Sequence, residues 1–285
     1  MLCKIACFKK MTWIQKNPKF RILLKTINMK IKRLIFALVA LILLLSSCTP
    51  QHEGIVLPSM GSGESRFTLD ENKIANFSLG APEGFWARDD RGNGPPFNCS
   101  FRRDHAVIAD GKLTLALTKR VDGGFAGAEY RNYQRTSYGF YSVKMKAAAC
   151  SGVISSFFTY TGRPWDEIDI EFLGDDTTKV QFNYFKNGVG GHEYVYDLGF
   201  DASEDFHEYA FDWQADSITW YVDGRAVYKV VGDMPSTPGN IMVNLWNVAD
   251  SNADWAGKFN GDDVPVYAEY LWFGYQAAYS SAEDK

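Results

Sequence analysis

One stretch, Trp165-Asp166-Glu167-Ile168-Asp169-Ile170-Glu171-Phe172, limits the folds open to this chain. It reads as a β-strand of period 2. Ile168, Ile170 and Phe172 point one way, into a core. Glu167, Asp169 and Glu171 point the other way. Three adjacent carboxylates on one strand face repel one another and favour shared protons. A solvated strand face selected for stability alone would mix in Lys, Thr or Arg. The pattern favours a strand with one face on a core and a functional acidic face, over the alternative of an idle acidic edge strand.

Paired carboxylates are what glycoside hydrolysis requires. One must be ionised and one must hold a proton, on either side of one glycosidic bond. Positions i and i+4 on a strand are roughly 13 Å apart at about 3.3 Å per residue. Side chains leaning together bring Glu167 and Glu171 to the roughly 5–6 Å of a retaining enzyme, although the spacing leaves the inverting range open. Asp169 between them makes a coupled set of three.

The rest of the chain is consistent with an all-β fold. Short alternating runs recur from about Phe67, among them Lys112–Thr118 after the Asp110-Gly111 turn, Tyr141–Met145, Val180–Tyr184 and Tyr209–Trp213. Ile218–Val222, Asp223-Gly224 and Ala226–Val231 form a hairpin pattern. Ile241–Asn247 and Tyr267–Tyr275 complete the series. Only Ala202–Asp205 has a helical look. No stretch could serve as a crossover helix, so the spacing indicates an antiparallel sandwich or barrel. Aromatics make up 15% of residues, which suits both strand cores and stacking on sugars. A net charge of −4 gives no reason to expect nucleic acid. His192 and His207 lack metal-ligand spacing and read as structural or surface residues. No metal and no cofactor is expected.

Residues 1–47 read as an export signal. Lys30, Lys32 and Arg33 precede the apolar run Leu34–Leu45, which is shorter than the roughly 20 residues of a membrane span. Met29 is the expected true start. Leu45-Ser46-Ser47-Cys48 resembles the bacterial lipobox, which implies lipidation of Cys48 and a membrane-anchored lipoprotein. In a Gram-negative host, Thr49 after the Cys would imply the outer membrane or cell surface. Residues 48–66 read as the lipidated N-terminus and tether, 67–276 as the catalytic domain and 277–285 as a tail. A monomer is expected.

The ordered motifs resemble glycoside hydrolase family 16, and within it the bacterial licheninases, which are endo-β-1,3-1,4-glucanases. Besides the acidic strand they include Phe97-Asn98-Cys99, Ala128-Glu129-Tyr130-Arg131 and Val153–Tyr160. Gln181-Phe182-Asn183-Tyr184, Trp220–Gly224 and Asn244-Leu245-Trp246-Asn247 extend the match across nearly all of 67–275. The resemblance implies a concanavalin A-like jelly-roll β-sandwich with a concave substrate cleft. It also implies a retaining mechanism, with Glu167 as nucleophile, Glu171 as general acid/base and Asp169 as their helper. Substrate-binding positions carry over onto Glu129, Arg131, Phe158, Tyr160, Trp165, Asn183, Asn244, Trp246 and Trp255. The expected partner is a β-glucan of mixed β-1,3-1,4 linkage.

Alternatives remain within the fold. A β-1,3-glucanase or a xyloglucan-active enzyme would keep the mechanism, and a glycan-binding lectin would not need all three carboxylates. Many laminarin-type relatives insert a Met in the acidic strand, and this chain does not. Three departures from the licheninase pattern stand out. Gly127 occupies the place of the usual disulfide partner of Cys99, which leaves pairing with Cys150 open. Leu271 replaces an Asp that often binds structural calcium, so that site is expected to be weak or absent. The Gly162–Pro164 loop is shorter than in close relatives.

Overall fold

A computed structural model describes residues 55–56, 74–90 and 92–277, all within one compact unit, His52–Lys285. The export signal, Cys48 and most of the expected tether lie outside the described residues. Among those described, no helix is long and apolar enough to cross a membrane.

Two antiparallel sheets pack face to face. The first runs β12 (Tyr194–Asp197), β11 (Lys179–Phe185), β10 (Glu167–Leu173), β9 (Val153–Tyr160), β16 (Asn240–Asn247), β7 (Phe125–Asn132) and β3 (Phe85–Ala87). The second runs β15 (Arg225–Val231), β14 (Ser217–Val222), β13 (His207–Trp213), β8 (Gly139–Lys146), β17 (Val266–Ala277), β6 (Lys112–Lys119) and β5 (Ala106–Ala109). β2 (Ile74–Asn76) continues the β6 edge of β17. The sheets meet where the end of β6 and the short parallel strand β4 (Ser100–Phe101) both pair with β7. This is the expected all-β jelly-roll sandwich. Inside the stretch read as a tether, β1 (Ile55–Val56) pairs with Lys229 and Tyr228 of β15.

Period 2 decides what lies between the sheets. Ile168, Ile170 and Phe172 of β10 are fully buried. They meet Tyr209, Phe211, Trp213 and Trp220 of the second sheet, which are also buried. Each such side chain contributes about 1.5–3 kcal/mol by leaving water. Polar bonds cross the core: the Tyr270 hydroxyl reaches the backbone carbonyls of Ser156 at 3.3 Å and Asn244 at 3.4 Å, and the Trp220 indole N–H donates to the backbone carbonyl of Asp169 at 3.2 Å. The acidic strand is thereby fastened from behind.

One expectation changes, and one point left open by the sequence is settled. Ala202–Asp205 is a turn and not helical. Asp201 caps it by accepting from Ser203 N at 2.9 Å and Thr177 Oγ1 at 2.6 Å, and β13 begins at His207. The single α-helical turn described is Ala253–Ala256, which carries Trp255. Cys99 and Cys150 are both free and buried, so they do not pair. Burial pushes the Cys99 thiol up to about 12. Leu271 falls where β17 shifts register between Tyr270 and Trp272, and its aliphatic side chain offers no oxygen.

Candidate active site

β10 is the third strand from one edge of its sheet, between β9 and β11. Register sets Glu167 beside Tyr160 and Phe185, Asp169 beside Phe158 and Asn183, and Glu171 beside Ser156 and Gln181. Residues directly opposite each other in an antiparallel pair share a face. The three carboxylates therefore open onto the same concave surface as Tyr160, Phe158, Asn183 and Gln181. A cleft of about 630 Å³ lies over them. All nine substrate-binding residues expected from the sequence line it, together with Glu167, Asp169 and Glu171.

Burial dominates the electrostatics. It raises Glu167 to about 8 and Glu171 to about 7, and it lifts Asp169 well above the carboxylate range. Repulsion within the set adds to each shift at Glu167 and Asp169. The hydrogen bond between Asp169 and Glu167 favours the proton on Asp169 and the charge on Glu167. The Trp165 indole N–H is a second donor to Glu167. Glu171 receives one, from Gln181 Nε2 at 2.9 Å. Burial raises both glutamates, whereas fixed hydrogen bonding favours the ionised form at Glu167 more than at Glu171.

The walls follow from the same parity. On β7, Glu129 is buried and ion-paired with Arg131 at 3.3 Å and with Arg88 at 3.3 Å. Burial raises the Glu129 carboxyl, against the pull of Arg131 and Arg88. This is not a solvated surface pair. Arg131 Nε and Glu129 Oε1 are buried against each other in this ion pair without an aligned hydrogen bond. On β16, Asn244 Oδ1 accepts from Ser156 Oγ at 2.5 Å, while Asn183 Oδ1 accepts from the Tyr184 amide at 2.8 Å. Trp246 packs on Phe97 with centroids 3.9 Å apart and lies 6.2 Å from Trp255. Trp165 is 40% exposed and stacks on Phe185 at 4.6 Å. His192 stacks on Tyr184, and His207 stacks on Phe200 and bonds Asp223, as structural residues do.

Sequence reasoning missed several participants. Gln181 bridges Glu171 and the Trp255 indole N–H, which it accepts at 3.1 Å. Its parity with Asn183 was the available signal. Arg88, Phe185 and Glu193 also line the cleft. Asp166 was part of the motif but had no role. Its buried carboxylate accepts the amides of Asn187 at 2.8 Å, Ser236 at 2.9 Å and Thr237 at 3.0 Å. Burial works to raise this group, but the three amides outweigh it and hold its pKa below the usual value. The Gly188 amide in turn donates to the Trp165 carbonyl at 2.7 Å. Two distant loops are thus latched to the start of the acidic strand.

The site combines two glutamates of adjustable protonation, a protonated helper, aromatic platforms and carboxamides. That set suits acid/base chemistry on a polyhydroxylated chain. Comparison with known proteins agrees. The model of the family described as glycosyl hydrolases family 16 matches residues 93–264. A beta-glucanase of Paenibacillus macerans is 55% identical over 192 residues, covering 66% of this chain and 80% of that protein. The beta-glucanase of Bacillus subtilis (strain 168) is 50% identical over 202 residues, covering 69% and 83%. The solved Bacillus licheniformis beta-glucanase superposes with a TM-score of 0.69 at 47% identity, covering 71% of this chain and 97% of that one. A prokaryotic beta-1,3-1,4-glucanase (lichenase) from a mouse hindgut metagenome gives 0.69 at 46%, covering 74% and 100%.

Proposed function

The chain belongs to glycosyl hydrolases family 16, and from that premise we propose that it is a retaining, endo-acting hydrolase of mixed-linkage β-1,3-1,4-glucan. That it is a glycoside hydrolase follows from the family. The observation that carries the finer reading is the row Glu167, Asp169, Glu171 on the cleft face of β10. Relatives at about half identity that are named beta-glucanase or lichenase support the substrate.

In this reading Glu167 attacks the anomeric carbon while Glu171 gives its proton to the departing glycosidic oxygen. A covalent glycosyl-enzyme forms and the chain beyond the cut leaves. Glu171, now ionised, takes a proton from water, whose oxygen displaces Glu167. The two donors on Glu167 stabilise it as the carboxylate that leaves. Burial raises both glutamates, so their coupled set must place the charge on Glu167 and the proton on Glu171 as the substrate binds, which the two fixed donors on Glu167 favour. Trp165 is placed to stack on the sugar beside the cut, and Asn183 and Asn244 to meet hydroxyls.

The test is reducing-end release from mixed-linkage glucan, laminarin, xyloglucan and carboxymethylcellulose side by side. Release chiefly from laminarin or xyloglucan would move the substrate within the fold. Glu167→Ala should abolish hydrolysis, and azide should restore turnover of an activated substrate by replacing the lost nucleophile. Near wild-type activity in Glu167→Ala would refute the assignment.

The proposal includes export as a monomer anchored by lipid on Cys48. It rests on the basic, apolar and Leu45–Cys48 segments of the sequence. Radiolabelled palmitate should enter the intact chain expressed in bacteria and be absent from Cys48→Ser.

A further inference from the structure

The aromatic lining does not stop at Arg131. Trp86 of β3 stands directly opposite Arg131 of β7, so both face the cleft side of the sheet. The Arg131 guanidinium sits 4.5 Å over the Trp86 ring. Tyr133, two residues beyond Arg131 and of the same parity, stacks on Trp86 at 5.8 Å and 21°. Its side chain is nonetheless 68% exposed. Its backbone is held on both sides: the Tyr133 amide donates to Gly84 O at 2.8 Å, and Asn240 Nδ2 donates to Tyr133 O at 3.2 Å. Beyond it opens a second concavity of about 450 Å³, into which Tyr133 and Gln134 also face.

Held in place by these bonds, the ring offers a preformed flat surface that a ligand can cover with little ordering cost. Through Trp86 the ring adjoins Arg131, which lines the cleft. Three strand spacings separate β10 from β7 and four separate it from β3, about 14 and 19 Å. Those distances are several sugar units from the carboxylates. Resting on the β-glucan reading of the cleft, we propose that Trp86 and Tyr133 form an outlying glucan subsite, in which a sugar of the same chain packs on the open face of Tyr133. A pyranose offers an apolar face of C–H groups to such a ring and hydroxyl edges to Gln134 and Arg131. The subsite selects for long chains and takes no part in the bond cleavage.

The test uses Glu167→Gln protein, which holds substrate without cutting it. Its affinity for mixed-linkage glucan, laminarin and xyloglucan is measured by retardation in polysaccharide gels and by titration with oligosaccharides of increasing length. Adding Tyr133→Ala should weaken polysaccharide binding about tenfold and remove the affinity gained by lengthening the oligosaccharide. Tyr133→Trp should restore both. Tyr133→Leu, of similar bulk without a ring, should behave as the Ala variant, which guards against a folding defect in either. Unchanged affinity in the Ala and Leu variants would overturn the subsite while leaving the β-glucan reading intact. Failure of the Glu167→Gln protein to bind any of the polysaccharides would overturn both.

Discussion

Glu167→Gln should make the protein more stable at neutral pH and not at pH 4.5. The reason lies in the burial of three carboxyl groups on one strand face. Burial raises Glu167 from its ordinary 4.5 to about 8. In the unfolded chain this carboxyl ionises freely once pH exceeds 4.5. In the folded protein ionisation is opposed until about pH 8. The native state therefore binds more protons across that window, and its stability falls as pH rises. Each unit is worth 1.36 kcal/mol, so the 2.5 units from pH 4.5 to 7 amount to roughly 3 kcal/mol. Water in the open cleft screens part of this, which leaves about 1–3 kcal/mol. Glutamine has the same shape, accepts the Trp165 indole bond and does not ionise. The gain is about 2–12 °C in melting temperature for a domain of this size. Melts of both proteins from pH 4.5 to 7.5 measure it. A difference that stays flat over that range, or a less stable Glu167→Gln at pH 7, would refute the account of the triad as an electrostatic load on the fold.

Other perturbations probe the supports of the site. A Cβ built on Gly127 would lie 3.0 Å from Cys99 Sγ, the separation across a sulfur–sulfur bond. Gly127→Cys should therefore pair with Cys99 under oxidation. Closing a loop of about 30 residues is worth roughly 3–4 kcal/mol, so the oxidised form should melt well above the same protein with reductant. That comparison cancels the strain against Leu245 O, which the Cβ meets at 2.4 Å. Asp166→Ala should cost about 1–3 kcal/mol for each amide left without an acceptor and should raise KM as the loops at Asn187 and Ser236 come free. Asp166 has a depressed pKa, so its contribution is present above 3.8 and disappears as pH falls through the lower folded value. Wild type and Asp166→Ala should converge in stability only in that acid range. Ile170→Ala, fully buried under the triad, should cost about 2–5 kcal/mol, read as the shift in urea midpoint.

The acidic strand was legible because chemistry and periodicity coincide on it. Alternation fixed which residues face the core, and the leftover face was too acidic to be idle. Trp246 and Phe158 were harder, since an apolar strand gives no sign of which face is which. Resemblance supplied the answer for them, and register then placed both in the cleft wall. What stayed hidden depends on pairs far apart in sequence. Arg88 reaches Glu129 only because β3 lies along β7. Asp166 draws amides from positions near 187 and 236. Its sequence neighbours say nothing of those partners. The turn at Ala202 misled for a local reason, because Asp201 caps turns and helices alike. Tyr133 carries no motif, and its exposure emerges only from where β7 ends.

The Trp220–Asp169 bond has a consequence for how such a protein can change. It ties the carboxylate row to the far sheet, whereas Asp166 ties the rim segments to the row mainly through backbone amides, with the Thr237 side chain beside them. Amides are present whatever side chain the rim carries. Residues 236 and 237 can therefore change to any residue but proline without removing those amides, whereas position 187, at a φ of 51°, favours Asn, Asp or Gly. The carboxylate row and the rim are thus held by different bonds. A lineage moving between plant, algal or microbial glucans would be expected to rewrite the rim and leave β10 untouched.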